Sequence, residues 1–409
     1  MRQIPRFIAP MNFGDVRRAL RSRGDEEPDA LRRFAGRFAA YIGVRHAIPA
    51  PSGRMALLGI LTGLGLKPGG EVILPALTFH SVPAMVRHAG LAPVFVDVGP
   101  STYCIDPARI ERAVTPSTVA ILPTHLYGRA CELDVVSDVA ARHGLAVIED
   151  CAQACGARYR DRRLGSLGTA AFFSYGSTKN LSVLGAAMVV TDSPELAARV
   201  SEWMGRLPRV SAVETARRIL FALGMRAASR PLVWATVLAP ALRLLSRFGV
   251  DPIEALTSES PGGSADSGEG PRAMPGAFQG RIGLGQLERL DESNFRRIRN
   301  GEHLRERLAG LPGCRIPAAA PESENIYMSF PVQVPDRARF RARLRRNGVD
   351  TATGYMSAGP ALPGFSGGPE DASAAVEAVA HMVHLPVYPE LTAGDVDQIA
   401  EAVSAALRE

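Results

Sequence analysis

Between Ala47 and Asp150 the chain alternates short apolar runs with amphipathic stretches. The apolar runs Ala47–Ala50, Glu71–Pro75, Ala92–Asp97, Val119–Pro123 and Ala146–Asp150 have strand length. Ser81–Ala89, Pro107–Ala113 and Leu133–His143 between them have a helical pattern, as do residues 14–45, with arginines on one side and Leu, Phe and Ala on the other. Strands alternating with helices in this way predict an α/β fold built on a mostly parallel sheet covered on both faces. In such sheets ligands gather at the carboxyl ends of the strands. Ser52, Phe79, His125 and Asp150 all follow strand ends, so one crevice can hold them all.

After residue 194 the pattern changes. Arg217–Leu223 and Pro231–Leu245 are apolar stretches punctuated by Arg226, Arg230, Arg243 and Arg247. The longest clean run, Pro231–Leu242, is shorter than the roughly 20 apolar residues a membrane span needs. It predicts an amphipathic helical pair, packed on the body or a second copy, or lying on a membrane or partner surface. Ser258–Pro271 is rich in Ser, Gly and acidic residues and reads as a mobile loop. A long helix follows at Gly283–Leu308, with Leu284, Leu287 and Leu290 at helical spacing. Strand Tyr327–Val334 and helices Arg337–Asn347, Ala374–Met382 and Ala393–Leu407 complete a smaller C-terminal α+β domain. The expected division is therefore 1–250 as a large α/β domain with an apolar helical insert at 205–250, 251–271 as a flexible loop, and 272–409 as the long helix plus the small domain.

Composition narrows the class. The 409 residues are 46% apolar and 22% charged, ordinary for a globular protein with room for two domains. The net charge of +6 comes from dispersed arginines, without a basic tract interleaved with aromatics, so no nucleic-acid partner is expected. Five cysteines occur without CxxC or histidine-bearing spacing, which reads as buried free thiols in a reducing compartment and no metal site. Met1–Phe13 lacks the charged-then-apolar pattern of a signal peptide, and a cytoplasmic location is expected.

Candidate chemistry centres on Phe172-Phe173-Ser174-Tyr175-Gly176-Ser177-Thr178-Lys179-Asn180-Leu181. Lys67 and Lys179 are the lysines of a chain whose other basic residues are nearly all arginine. A lysine in an apolar, hydroxyl-rich setting points to a lowered pKa and Schiff-base chemistry, although taken singly it is also an ordinary surface lysine. Ser52-Gly53 at a predicted helix N-terminus offers backbone N–H groups, a hydroxyl and the positive dipole end to a phosphate, or is a simple cap. With Ser174, Phe79 and Asp150 these are the parts of a pyridoxal 5'-phosphate (PLP) site. A lysine forms the imine, a carboxylate keeps the pyridine nitrogen protonated, a flat side chain stacks on the ring, and N–H and hydroxyl groups hold the phosphate.

The motifs that follow one another along the chain resemble the DegT/DnrJ/StrS family of sugar aminotransferases. They are Ser52-Gly53-Arg54-Met55-Ala56-Leu57, Leu74-Pro75-Ala76-Leu77-Thr78-Phe79, Pro123-Thr124-His125-Leu126-Tyr127-Gly128, Ile148–Ala157 with Gly165 and Gly168, Phe173-Ser174 to Lys179-Asn180, Gly283–Glu292 and His384–Pro389. The resemblance implies a fold-type I large domain with a seven-stranded-type sheet. It implies that Lys179 forms the imine with PLP and shuttles the proton, that Asp150 pairs with the pyridine nitrogen, and that Gln153 contacts the ring hydroxyl side. Phe79 would stack on the ring, and Ser174 with Ser52, Gly53 and Arg54 would bind the phosphate. It further implies a homodimer with shared sites, an amino-acid donor such as glutamate, and a keto-sugar acceptor, often nucleotide-linked. A retained Lys179 argues against a non-catalytic regulatory protein.

The chain departs from the family pattern at three places. The turn Gly185-Ala186-Ala187-Met188 lacks the usual acid. Arg272-Ala273-Met274-Pro275 stands where an Asn-Tyr-Arg-Met stretch reaches a neighbour's cofactor phosphate. Gly354-Tyr355 replaces a His-Tyr pair that meets substrate. These departures keep open a different acceptor, an aminocyclitol ketone or a carrier- or lipid-linked carbonyl met through 205–250.

Overall fold

The computed structural model describes residues 2–21, 29–246, 272–320, 322–365 and 372–408. The loop expected over 251–271 lies outside the described residues. Seven strands form the main sheet, in the order His46–Ala50, Ala187–Thr191, Ala170–Ser174, Ala146–Asp150, Thr118–Ile121, Glu71–Pro75 and Ala92–Val96. Ala187–Thr191 runs antiparallel to both neighbours, and the other pairings are parallel. This is the mostly parallel α/β sheet that the alternation of runs predicts.

Both faces of the sheet are covered, which is why its strands read as continuous apolar runs. Ala170 and Phe172 enter one core cluster with helix Gly53–Leu64, while Ala171 and Phe173 enter another with helix Ala30–Ile42. Phe38 meets Phe173 edge-on at 4.9 Å and Tyr175 at 5.7 Å. Each such aromatic pair adds on the order of 1 kcal/mol beyond its buried area. The strand end that leads into Ser174 and Lys179 is therefore held firmly.

Element boundaries differ from the expected ones where backbone chemistry intervenes. The helical reading over 14–45 resolves into Phe13–Arg21 and Ala30–Ile42, the second stopped by Gly43 in the left-handed conformation. The expected Gly283–Leu308 helix is two helices, Ala277–Leu287 and Leu290–Leu308. The first starts early because Gln279 caps the Gly276 N–H, and the break falls at Arg289, whose guanidinium turns to the buried Asp15 at 2.5 Å. Strand Phe330–Gln333 begins later than expected because Tyr327 adopts a positive φ.

The helical pair of the insert is present as Ala212–Ala228 and a helical stretch from Pro231 to Ser246. The turn Trp234–Leu238 is of π type. Pro240 follows it without an N–H to continue the α pattern, and the wider turn accommodates it. Among the described residues no helix is long and apolar enough to cross a membrane. In the C-terminal part Phe330–Gln333 pairs with Met382–Leu385, and helices Arg337–Arg346 and Ala393–Arg408 pack in the same cluster. The N-terminal segment joins this cluster too: Ile4 bridges Val349, and Arg6 pairs with Asp350 at 2.5 Å.

Candidate active site

The strands deliver their chemistry at one edge. Ser52 follows strand His46–Ala50, Phe79 follows Glu71–Pro75, Thr124 follows Thr118–Ile121, and Asp150 and Ser174 end their own strands. The antiparallel strand Ala187–Thr191 starts at this same edge, with Ala187 opposite both Ala50 and Ser174, and so delivers Gly185 there. Ser52, Gly53, Arg54, Phe79, Asp150, Gln153, Ser174 and Lys179 all line a single cavity of about 320 Å³. Arg272 is not among its lining residues and is exposed on the segment where Met274 pairs with Pro208 and Val210.

Ser52 caps helix Gly53–Leu64, its hydroxyl accepting from the Met55 N–H. A Cβ on Gly53 would stand 3.3 Å from Ser174 Cβ, tighter than ordinary contact. Glycine there keeps the helix N-terminus and the Ser174 hydroxyl together, a cradle with the dipole and donors that suit a phosphate. The same cavity also holds a carboxylate. Asp150 is buried, and one carboxylate oxygen accepts from the Ala152 N–H at 3.0 Å. Burial raises its pKa, opposed by that hydrogen bond and by the charge of Lys179. Such a carboxylate calls for a cationic partner in the cavity. Hydroxyls, a helix N-terminus, a carboxylate, an amine and an aromatic ring lining one cavity fit the donor set that PLP requires.

Gln153 is buried and its Oε1 accepts from the Tyr127 N–H at 3.2 Å. Phe79 sits 4.3 Å from the His80 ring and 6.0 Å from Tyr355, edge-on. Lys179 Nζ lies 5.5 Å from the Tyr355 ring centroid.

Tyr355 and Met356 complete the cavity from the C-terminal part of the chain. They arrive there because Ser357–Ala358 pairs with Leu77–Thr78, just before Phe79. Nothing in sequence spacing announces that pairing, and Met356 is missed by sequence reasoning altogether. Ser177 and Thr178 also line the cavity, and their position beside Lys179 was a usable signal. The acid-free turn after Lys179 is not far from a carboxylate: Gly185 and Glu214 share the lining of a second cavity of about 430 Å³.

The hydrogen-bonded shell behind Asp150 is structural. Glu149 is fully buried and accepts from the N–H groups of Gly165, Leu167 and Gly168 at 2.7 to 2.9 Å. His125 stands 3.1 Å from Glu149, and its Nδ1 accepts from the Cys131 N–H, which leaves the proton on Nε2 for Glu149. Burial pushes the Glu149 pKa up, but these hydrogen bonds outweigh it and hold the pKa below the usual carboxylate range. His125, Glu149 and Cys151 lie close enough to suggest a metal, yet the histidine nitrogens and the carboxylate are already spent on each other and on backbone N–H groups.

Comparison with known proteins gives this geometry a setting. The model of the DegT/DnrJ/EryC1/StrS aminotransferase family matches residues 8–220 and 240–404. The dTDP-3-amino-3,4,6-trideoxy-alpha-D-glucose transaminase of Streptomyces venezuelae is 32% identical over 91% of this chain and 86% of its own length. The L-glutamine:2-deoxy-scyllo-inosose aminotransferase of Streptoalloteichus tenebrarius is 35% identical over 76% of this chain and 63% of its own length. Among solved structures, that of DesV from S. venezuelae superposes with a TM-score of 0.77 over 100% of both chains at 28% identity.

Proposed function

We propose that this chain, which belongs to the DegT/DnrJ/EryC1/StrS aminotransferase family and is an aminotransferase, uses PLP to move an amino group from an amino acid, glutamate or glutamine, to the ketone of a sugar or cyclitol. The observation that carries the reading is the convergence of Lys179, Asp150, Gln153, Phe79, Ser52 and Ser174 on one cavity. PLP, when bound, would supply an electron sink for the charge left by proton removal and a carbonyl that carries the amino group between the two half-reactions.

The chain's own residues supply the rest. Asp150 holds a proton on the pyridine nitrogen, which turns its unfavourable burial into an ion pair. Phe79 would stack on the ring and Gln153 would meet its hydroxyl side. Ser174 and the Ser52-Gly53-Arg54 turn anchor the phosphate. Lys179 Nζ takes the proton from the donor's α carbon and, in the second half-reaction, places a proton on the acceptor's former carbonyl carbon.

The acceptor is read as a nucleotide-linked keto-sugar, with a cyclitol ketone as the alternative, because relatives named for both substrate types align across most of this chain. Arg272, exposed outside its own cavity, is read as a phosphate ligand for the second subunit of a homodimer. In the alternative of a lipid- or carrier-linked acceptor, the insert would be its contact surface. Val213, Leu220, Phe221, Leu232 and Val237 are exposed, and Arg209 and Arg230 are exposed near them. Flotation with anionic vesicles tests the lipid source, and a chain that stays at the bottom of the gradient eliminates it.

The central test is optical. Purified wild-type chain given PLP is expected to acquire a visible absorbance band that bleaches on adding glutamate or glutamine. Lys179→Ala should lose that response and about 10²- to 10⁴-fold of activity. A wild-type chain without a band, or a variant that responds unchanged, would sink the assignment.

A further inference from the structure

The loop from Gly176 to Gly185 carries Lys179 and is held by hydrogen bonds at its neck and its crown. At its neck, Tyr175 O accepts from the N–H groups of Val183 and Gly185, and Tyr175 N–H donates to Ala186. At its crown, Asn180 donates to Cys155 O and to Asn294, and the Ser182 N–H donates to Gln286. Leu184, one residue before the cavity-lining Gly185, has φ +56° and is buried. That left-handed conformation is unfavourable for a bulky side chain and persists only where surroundings enforce it.

Leu184 is the first central residue of a turn closed by the Ala186 N–H donating to Val183 O, and two further contacts that include the insert hold it there. The Leu184 side chain packs in a cluster with Met11, Val16, Ala19, Ala222 and Ile282. Its carbonyl accepts from Arg218 Nη1 at 3.1 Å, while Arg218 Nε donates to Glu214 at 2.8 Å. One guanidinium therefore spans a carboxylate on its own helix and a carbonyl of the lysine loop, a geometry that suits the planar fork of arginine. Its neighbour Arg217 also pairs with Glu214, but its side chain is 77% exposed where that of Arg218 is 19% exposed.

We infer that Arg218, oriented by Glu214, is a positioning residue for Lys179: it fixes the Leu184 carbonyl and thereby the closing end of the lysine loop. The inference rests on the reading of Lys179 as the reacting amine. It gives the insert helix Ala212–Ala228 a role in the chemistry besides any contact with partners. Loosening this end leaves the phosphate cradle and Asp150 in place, so the proton-transfer geometry suffers more than cofactor retention does.

The experiment compares wild type with Arg218→Met, Arg218→Lys and Arg217→Met. Three readouts are taken: amide hydrogen exchange over residues 182–187 without cofactor, the pH at which the PLP chromophore titrates, and kcat against KM for the amino donor. Arg218→Met is expected to raise exchange in that stretch, shift the titration, and lower kcat about tenfold with a smaller change in KM, the pattern of a mispositioned group. Arg218→Lys should recover part of each, and Arg217→Met should match wild type. Raised exchange with an unmoved titration and kcat would reduce Arg218 to a packing residue and overturn the inference, as would unchanged exchange. A wild-type chain that takes up no PLP would overturn the cofactor reading instead, and exchange in the cofactor-free chain would then decide whether Arg218 holds the loop.

Discussion

At the scale of single residues the two adjacent carboxylates Glu149 and Asp150 divide the labour by environment. Glu149 is surrounded by donors and Asp150 is under-satisfied, although both are buried. For Asp150 the folded pKa lies above the unfolded value, so the native state holds its proton more tightly than the unfolded chain does. Ionising it costs native stability, a penalty absent below the unfolded pKa and full above the folded one. Asp150→Asn in the cofactor-free chain is therefore expected to melt at or above the wild-type temperature at neutral pH, the gap closing as pH falls through the raised folded pKa and gone below about 4. The same variant should lose about 100-fold or more of transaminase activity. Thermal melts across that pH range check the first statement and initial rates the second; a variant less stable than wild type at neutral pH would contradict the burial argument.

Among elements, helices Ala30–Ile42 and Ala277–Leu287 approach closely. A Cβ on Gly280 would meet the Leu31 backbone nitrogen at 2.5 Å, and one on Gly283 would meet the Phe34 ring at 2.7 Å. Alanine is the better helix former by about 1 kcal/mol, but a backbone neighbour cannot turn aside as a side chain can. Gly280→Ala is thus expected to destabilise by about 1–3 kcal/mol net, measured as a lowered denaturation midpoint with unchanged slope. A midpoint at or above wild type would mean the helices separate at little cost. The spacing of Leu284, Leu287 and Leu290 made a helix here legible, whereas its break at Arg289 was not. At the break the Arg289 guanidinium pairs with Asp15, some 270 positions away along the chain.

For the whole molecule, the two halves of the sequence meet in the cavity: Ser357–Ala358 pairs with Leu77–Thr78 and brings Tyr355 and Met356 to face Phe79. The exposure of Arg272 gives the proposed homodimer its own test. Lys179→Ala and Arg272→Ala chains, each weak alone, are expected to regain activity when mixed and refolded together. One lysine-bearing site then receives the arginine of the other subunit. Dimers that form without recovering activity would remove Arg272 from the shared site.

Strand periodicity, turn residues and motif order are local properties, so the α/β class, most strand and helix positions and the cluster of Ser52, Asp150, Gln153 and Lys179 as candidates were written in the sequence itself. Packing settled what remained, because contacts between residues far apart in the chain leave no periodic trace. The left-handed Leu184 held by Arg218, the pairing that delivers Met356, and the carboxylate of Glu214 beside the acid-free turn all arise where separate elements are pressed together by the burial of their apolar faces.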